Sequence, residues 1–118
     1  MTIALIPLDS LVGEQLSAVC FVMDYVEFHF DGHIVRALNN PHAYLPASRV
    51  SFPESGSRDA LCMFIGAVVA SVAFEENVAL RLSFGERGEL VVPLDAAATR
   101  GPEALHWCPL GGPMQVVQ

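Results

Sequence analysis

Residues Tyr25–Leu38 read Y-V-E-F-H-F-D-G-H-I-V-R-A-L, in which two alternating runs of apolar and polar residues flank Asp31-Gly32. An Asp-Gly pair between such runs is typical of a β-hairpin with a type I′ turn, because both residues tolerate positive φ. A two-residue turn places Phe28 opposite Val35 and makes one face of the hairpin almost entirely apolar. Slipping the strands by one residue would expose the phenylalanines, so the sequence predicts a well-specified register.

The opposite face of this hairpin mixes aromatic, apolar and charged side chains. Glu27 lies directly across from Arg36 in this register, and such a pair contributes about 0.2–1 kcal/mol. A mixed face of this kind is typical of a protein interface; the alternative is that a second layer of the same chain covers it. The side chains predicted on this face are Tyr25, Glu27, His29, Ile34, Arg36 and Leu38.

The same pattern returns later in the chain. Gly13 and Phe21 recur as Gly66 and Phe74, 53 residues later in each case (13 to 66 and 21 to 74), and the following matches are slightly further apart. The increase is expected if the second hairpin has a longer loop with a bulge and Gly88 at positive φ. Two tandem pseudo-repeats at about residues 11–38 and 61–94 are therefore predicted; chance similarity between two β segments is the alternative.

The complete pattern predicts a single, mainly β domain over residues 1–118. We expect antiparallel meanders that form a sheet pair or roll, with one or two short helical turns, at residues 9–12 and 59–65. The second turn is expected to be capped by Ser57 or Asp59, with Leu61 and Ile65 facing inward. A longer helix over residues 58–69 is the alternative, since an apolar run of this length is ambiguous.

Three further segments complete the predicted fold. Residues 39–58 are rich in proline and serine and are expected to be a connecting surface loop with a short strand at residues 49–52, and a candidate binding element. Residues 102–117 are expected to form a C-terminal hairpin around the Gly111-Gly112 turn. Residues 2–6 are expected to be an edge strand ended by Pro7.

Composition narrows the classes of partner. The chain has 118 residues, 53% apolar and 16% charged, with a net charge of −7 and arginine as its basic side chain. An acidic chain is repelled by phosphate backbones, so no nucleic-acid partner is expected. Acidity suits a basic protein partner through faster encounter, or it serves solubility alone. The high apolar fraction also permits a homodimer.

The cysteine pattern and the hydropathy predict a cytoplasmic protein without a membrane partner. Three cysteines, Cys20, Cys62 and Cys108, are an odd number without C-x-x-C spacing, which favours buried free thiols in a reducing compartment. The first residues lack the basic segment of a signal peptide. The longest uncharged run, Ala60–Phe74, is shorter than the roughly 20 residues that span a bilayer.

No motif of an enzyme or a cofactor site is recognised in the sequence. His29 and His33 point to opposite faces of the predicted hairpin, and a metal site needs three or four converging ligands. His106 and Cys108 share a strand face, but nothing in the sequence lowers the pKa of the thiol. We therefore expect no catalytic residues, no cofactor and no metal, and we expect that the chain is not an enzyme.

Short motifs resemble a loose group of small bacterial β-rich proteins, most without assigned function. The resemblance covers residues 11–38 and 62–117, with hairpin tips at Phe30-Asp31-Gly32 and Phe84–Gly88, then Glu103-Ala104-x-x-Trp107 and a Gly-Gly turn. Here the second hairpin departs from the pattern, with Glu86-Arg87 in place of Asp-Gly. Some members of the group look like immunity proteins encoded beside secreted toxins.

The resemblance implies a non-catalytic protein-binding module, an immunity-type protein that occludes a basic toxin. One alternative is a small-molecule-binding β protein with a pocket lined by Trp107, Tyr44 and Phe52. The other is a structural protein that self-associates through its apolar sheet face. Acidic turns are expected to steer the partner, and either the mixed face or the loop at residues 39–58 is expected to bind it. The candidate partner-binding residues are Asp24, Tyr25, Glu27, His29, Asp31, Ile34, Glu75, Glu76 and Glu86.

Overall fold

The computed structural model describes residues 8–118, so the strand predicted at residues 2–6 lies outside the described part of the chain. In that part, two five-stranded antiparallel sheets form a mainly β domain, which confirms the predicted fold class. The strands are β1 Ala18–Val22, β2 Tyr25–Phe30, β3 His33–Ala37, β4 His42–Tyr44, β5 Arg49–Ser51, β6 Ser71–Glu75, β7 Ala79–Ser83, β8 Glu89–Pro93, β9 Leu105–Cys108 and β10 Gln115–Val117.

Each sheet contains strands from both halves of the chain. Sheet 1 has the order β1-β2-β3-β9-β10, and sheet 2 has the order β5-β4-β8-β7-β6. Each meander, β1–β3 or β6–β8, is therefore completed by a hairpin from the other half of the sequence. The C-terminal hairpin is present as predicted, with Gln115 paired to Trp107.

The central hairpin has the register that its alternation predicts. Phe28 pairs with Val35 and Glu27 pairs with Arg36. Asp31 and Gly32 have φ values of 50° and 105°, as a turn of the I′ type requires. Every second residue of β2 is buried, because Val26, Phe28 and Phe30 pack inward.

Both sheets bury their apolar faces in one shared core. Leu80, Leu82, Leu90 and Val92 of sheet 2 belong to the same buried cluster as the central hairpin, and Trp107 of β9 is fully buried within it. The apolar face that was considered as a homodimer seam is thus covered by the opposite sheet.

The two halves meet at an isolated bridge between Gln15 and Val68, which are 53 residues apart like the sequence matches. Leu16 N–H donates to Ala67 O and Val69 N–H donates to Glu14 O, both at 2.9 Å. The same offset of 53 residues relates the two bonds to each other. The donor Leu16 corresponds to the donor Val69, and the acceptor Ala67 corresponds to the acceptor Glu14. The pseudo-repeat itself stays a prediction, since these bonds describe the junction and not the two meanders.

The helical segment after the first half differs from its prediction in three details. An α-helix, α1, spans Ser57–Cys62, and turns follow it, so the longer helix over residues 58–69 does not form. The N-cap is Gly56 without a side-chain cap, so neither Ser57 nor Asp59 caps it. Leu61 is buried as predicted, but Ile65 is 41% exposed. Phe64 takes the inward position instead and stacks on Phe84.

Shorter 3-10 turns lie at Leu8–Leu11, Gly85–Arg87 and Ala96–Ala98. The first agrees with the predicted N-terminal turn, and Gly13 follows it with a φ of 90°. The third lies between β8 and β9. In the second hairpin, the Gly85–Arg87 turn occupies the place of the expected bulge, and Gly88 has the predicted positive φ, 120°.

Residues 39–58 are more ordered than the surface loop that their composition predicts. They contain β4 and β5 and thereby two strands of sheet 2, of which the first, His42–Tyr44, was not predicted. Asn39, at the start of the segment, is 1% exposed and donates from its amide to Pro93 O at 2.8 Å. The strand β5, Arg49–Ser51, agrees with the strand predicted at residues 49–52, whereas the proline-rich composition and the length of only three residues hid β4.

The three cysteines are free and partly exposed, rather than buried as expected. Cys20 and Cys108 occupy alternate positions of β1 and β9 that face away from the core. None of the helices in residues 8–118 has the length and apolar character needed to span a lipid bilayer.

Candidate functional site

The side of sheet 1 that faces away from the core carries a cluster of polar and ionisable side chains. Alternation places these residues there, since their neighbours along each strand point inward. All of them are partly exposed. We call this surface the outer face, and its residues are Cys20 of β1, Tyr25, Glu27 and His29 of β2, Ile34 and Arg36 of β3, and His106 and Cys108 of β9.

A chain of charged and polar contacts crosses the outer face. Arg36 Nε donates to Glu27 Oε2 at 2.8 Å, and the other carboxylate oxygen, Oε1, accepts from His29 Nε2 at 3.0 Å. Arg36 Nη1 donates to His106 Nδ1 at 2.9 Å. Because Nδ1 accepts, Nε2 of His106 carries the proton and donates to Glu103 Oε1 at 2.7 Å. The chain therefore links three strands through side chains alone.

Glu27 is one of the more enclosed members of this chain, with 15% of its side chain exposed, compared with 12% for His106. Burial raises the pKa of this carboxyl, but the hydrogen bonds and charges of Arg36 and His29 outweigh burial and hold the pKa below its ordinary value of 4.5. Burial likewise lowers the pKa of Arg36, and the bond to Glu27 more than restores it, so that the pKa is raised. Both groups are ionised near neutral pH and each depends on the other.

An aromatic ring and apolar side chains surround the charged centre. The Arg36 guanidinium lies over the Tyr25 ring, 5.1 Å from its centroid, and its Nη1 also contacts Met114 Sδ at 3.9 Å. Large apolar side chains with 39–91% exposure lie along the two edges of the sheet. They are Val22 and Met23 at the end of β1, and Met114 and Val116 at β10.

The predicted partner-binding residues divide between two places. Tyr25, Glu27, His29 and Ile34 share the outer face as predicted, and Asp24 and Asp31 lie in the turns at the two ends of β2. The other three acidic residues belong to sheet 2 and its turns, away from this face. These residues are Glu75, Glu76 and Glu86.

Sequence reasoning missed the part of the contact chain that lies beyond Arg36. His106 and Glu103 reach Arg36 because β3 pairs with β9, with Arg36 opposite His106. Nothing local in the sequence predicts that pairing, because about 70 residues separate the two strands. Cys20 was also missed, although its position across from Glu27 follows from extending the hairpin register to β1.

The geometry bears directly on the His106–Cys108 pair, which the sequence analysis considered as a nucleophilic pair and did not favour. Cys108 and His106 do lie on one strand face, as their spacing requires. Both ring nitrogens of His106 are hydrogen-bonded, one to Arg36 and the other to Glu103. Neither nitrogen is available to accept a proton from the Cys108 thiol.

Two small-molecule sites can be compared with the structure. Trp107 is fully buried against His33, Phe52 stacks on Phe21, and Tyr44 lies on the far side of sheet 2, so these rings do not line one pocket. A shallow cavity of about 240 Å³ borders the outer face. It is lined by Asp24, Leu38, Arg100, Gly101, Pro102 and Glu103.

That cavity is smaller than the roughly 300–1,000 Å³ of sites for drug-sized ligands. Its one cationic side chain is occupied, since Arg100 Nη1 donates to Leu38 O at 3.0 Å and to Asp24 O at 3.4 Å. The cavity therefore offers little to a small molecule.

The outer side of sheet 2 provides an internal comparison. Arg49 lies over the Tyr44 ring at 4.6 Å, much as Arg36 lies over Tyr25. Arg81, however, is 3.6 Å from both Glu75 and Glu89, without a short hydrogen bond. Sheet 2 thus has the same residue types in a looser arrangement. Substitutions of its side chains therefore serve as matched controls for substitutions on the outer face.

Comparison of the chain with protein-family models, with curated proteins and with solved structures finds no match. The resemblance to the bacterial β-rich group accordingly stays a prediction from the short motifs.

Proposed function

We propose that the chain is a non-catalytic protein-binding module that engages its partner through the outer face of sheet 1. One observation carries the proposal: the outer face holds a tyrosine, an arginine and a fixed chain of polar contacts, with exposed apolar side chains at both edges. Arginine and tyrosine are enriched among the residues that dominate interface energetics, and preformed polar contacts reduce the entropy lost on binding.

The partner in this proposal is a basic protein. The net charge of −7 favours encounter with such a protein, and Asp24 and Asp31 place carboxylates at both ends of the outer face. The resemblance specifies the partner further, as a toxin that this chain occludes in the cytoplasm. Under this proposal the chain is an immunity-type protein, and the toxin is encoded by a neighbouring gene.

The test is a calorimetric titration of the full chain with the basic product of the adjacent gene. We expect a complex that weakens as salt rises, because charges at the rim are screened. Tyr25→Ala should weaken binding by at least about 2 kcal/mol, near thirtyfold, as truncation of an aromatic residue that dominates an interface does.

Tyr44→Ala is the matched control, since Tyr44 has the same ring-over-arginine contact on sheet 2. It should leave the affinity within about twofold of the wild-type value. Equal losses in the two variants, or a complex that is indifferent to salt, would refute the proposed surface.

A further inference from the structure

Three different metal-ligating side chains converge at the β1–β2 end of the outer face. The Cys20 Sγ, a Glu27 carboxylate oxygen and a His29 ring nitrogen all lie within 4.8 Å of one another. The register explains this grouping: Cys20 is the cross-strand partner of Glu27, and His29 follows Glu27 by two residues on the same face. The grouping combines a thiol, an imidazole and a carboxyl group, which are the three side-chain types that bind zinc in proteins.

The distances between these three ligand atoms are close to the distances between the ligands of a bound metal ion. Bond lengths of about 2.3 Å to sulfur and 2.0–2.2 Å to nitrogen and oxygen place tetrahedral ligands roughly 3.3–3.6 Å apart. The His29 Nε2 and Glu27 Oε1 atoms are already 3.0 Å apart. Because all three ligand atoms already lie within 4.8 Å of one another, changes in side-chain torsion angles would close the group around an ion without movement of the paired backbone.

The neighbours of Glu27 prepare it to be a ligand. Arg36 holds Oε2 and leaves Oε1 directed at His29. Ligating carboxylates are commonly held in this way by an outer hydrogen bond, which fixes their orientation. On binding, the proton of His29 Nε2 would leave or move to Nδ1, and the Cys20 thiol would release its proton to solvent.

We propose that Cys20, Glu27 and His29 bind one divalent ion of the zinc class, with a fourth coordination position open to solvent. Sulfur and imidazole ligands select zinc and similar ions over magnesium and calcium, which require oxygen ligands. All three residues are partly exposed, so water reaches the fourth position. This inference does not depend on the proposed protein partner, because the ion is measured on the chain alone.

The experiment titrates the reduced, metal-free full chain with Co²⁺ as a spectroscopic probe, followed by Zn²⁺ in competition with a chromophoric chelator. We expect one Co²⁺ per chain, a thiolate-to-cobalt charge-transfer band and visible bands of tetrahedral intensity, all removed by stoichiometric Zn²⁺. Cys20→Ser should abolish the charge-transfer band. His29→Ala and Glu27→Gln should each weaken Zn²⁺ binding by at least about tenfold.

Cys62→Ser and Cys108→Ser are the matched thiol controls and should keep both the band and the affinity. Circular dichroism of each variant establishes that the sheets are retained. The proposal is overturned if the band survives in Cys20→Ser, if it is lost in Cys108→Ser, or if wild-type chain binds Zn²⁺ no more tightly than the Cys20→Ser, His29→Ala double variant.

Discussion

At the scale of single residues, the backbone of Gly88 shows how tightly the second hairpin is packed. Its φ is 120°, and a Cβ added there would overlap the Tyr44 carbonyl oxygen and approach the Phe64 ring at 3.2 Å. Gly88 therefore allows the β7–β8 loop to lie directly against the end of β4. A side chain at this position would require the Tyr44 backbone to move.

We predict that Gly88→Ala destabilises the fold by at least about 1–3 kcal/mol, the range for an L-residue held in a sparsely populated conformation. Urea unfolding measures the change. Gly101→Ala is the control, because a Cβ there meets nothing within 4 Å, and it should shift stability by no more than about 0.5 kcal/mol. Similar values for both variants would contradict the close approach to Tyr44.

The lowered pKa of Glu27 makes a second prediction at this scale. Because the folded pKa lies below the ordinary 4.5, ionised Glu27 stabilises the fold above that pH, and the stabilisation is lost as the pH falls through the lowered pKa. The difference in unfolding free energy between wild type and Glu27→Gln should thus be full at pH 6 and shrink below pH 4.5. Denaturant unfolding at several pH values measures it, and parallel pH profiles would exclude the Glu27–Arg36 coupling.

At this scale, the sequence was informative wherever chemistry depends on alternation. The register of the central hairpin, and with it the Glu27–Arg36 pair, follows from Asp31-Gly32 and the period of two. The grouping of Cys20 with His29 was within reach of the same reasoning. It was missed because the sequence analysis weighed His29 against His33, which points the other way.

At the scale of elements, the chain passes from one sheet to the other twice, between β3 and β4 and between β8 and β9. One buried side-chain amide connects these two crossing segments. Asn39 follows β3 on its way to sheet 2, and its Nδ2 donates to the carbonyl of Pro93, which ends β8 on its way to sheet 1. The two crossings therefore run side by side and share a polar contact away from water. The contact between Asn39 and Pro93 therefore fixes the two crossing segments relative to each other.

We predict that Asn39→Ala destabilises the fold by about 1–3 kcal/mol, since the Pro93 carbonyl loses the donor that the buried Asn39 side chain supplies. Asn40→Ala, at the next and partly exposed position, is the matched control and should have a much smaller effect. Thermal and urea unfolding give both values. A larger loss from Asn40→Ala would argue against the role of the shared contact.

Long-range pairing accounts for most of what the sequence could not predict at this scale. The pairing of β3 with β9 and of β4 with β8 joins residues whose sequences contain no information about each other. Local composition even argued against β4, because the surrounding prolines and serines indicate a loop. The inward turn of Phe64 in place of Ile65 similarly depends on where α1 ends, which propensity does not determine.

At the scale of the whole molecule, each half of the chain lends a hairpin to the sheet of the other half. Sheet 1 takes β9 and β10 from the C-terminal half, and sheet 2 takes β4 and β5 from the N-terminal half. Neither meander can bury its apolar face alone, because the opposing face belongs to the other half. The halves should therefore be stable together and unstable apart.

A fragment experiment tests this interdependence. We predict that residues 1–55 and 56–118, expressed separately, are each unfolded and regain the β signal in far-ultraviolet circular dichroism when mixed at equimolar ratio. The reason is that each fragment exposes apolar strands that its complement covers. Cooperative unfolding of either fragment alone would show that the halves are independent units.

The central claim is that this molecule acts through the outer face of sheet 1. The most direct test is a ¹H–¹⁵N chemical-shift titration of the labelled chain with the basic protein that we propose as its partner. The account predicts that the perturbed amides concentrate on β2, β3 and β9, around Glu27 and Arg36. Perturbations concentrated on β6, β7 and β8, or a spectrum unchanged by saturating partner, would contradict it.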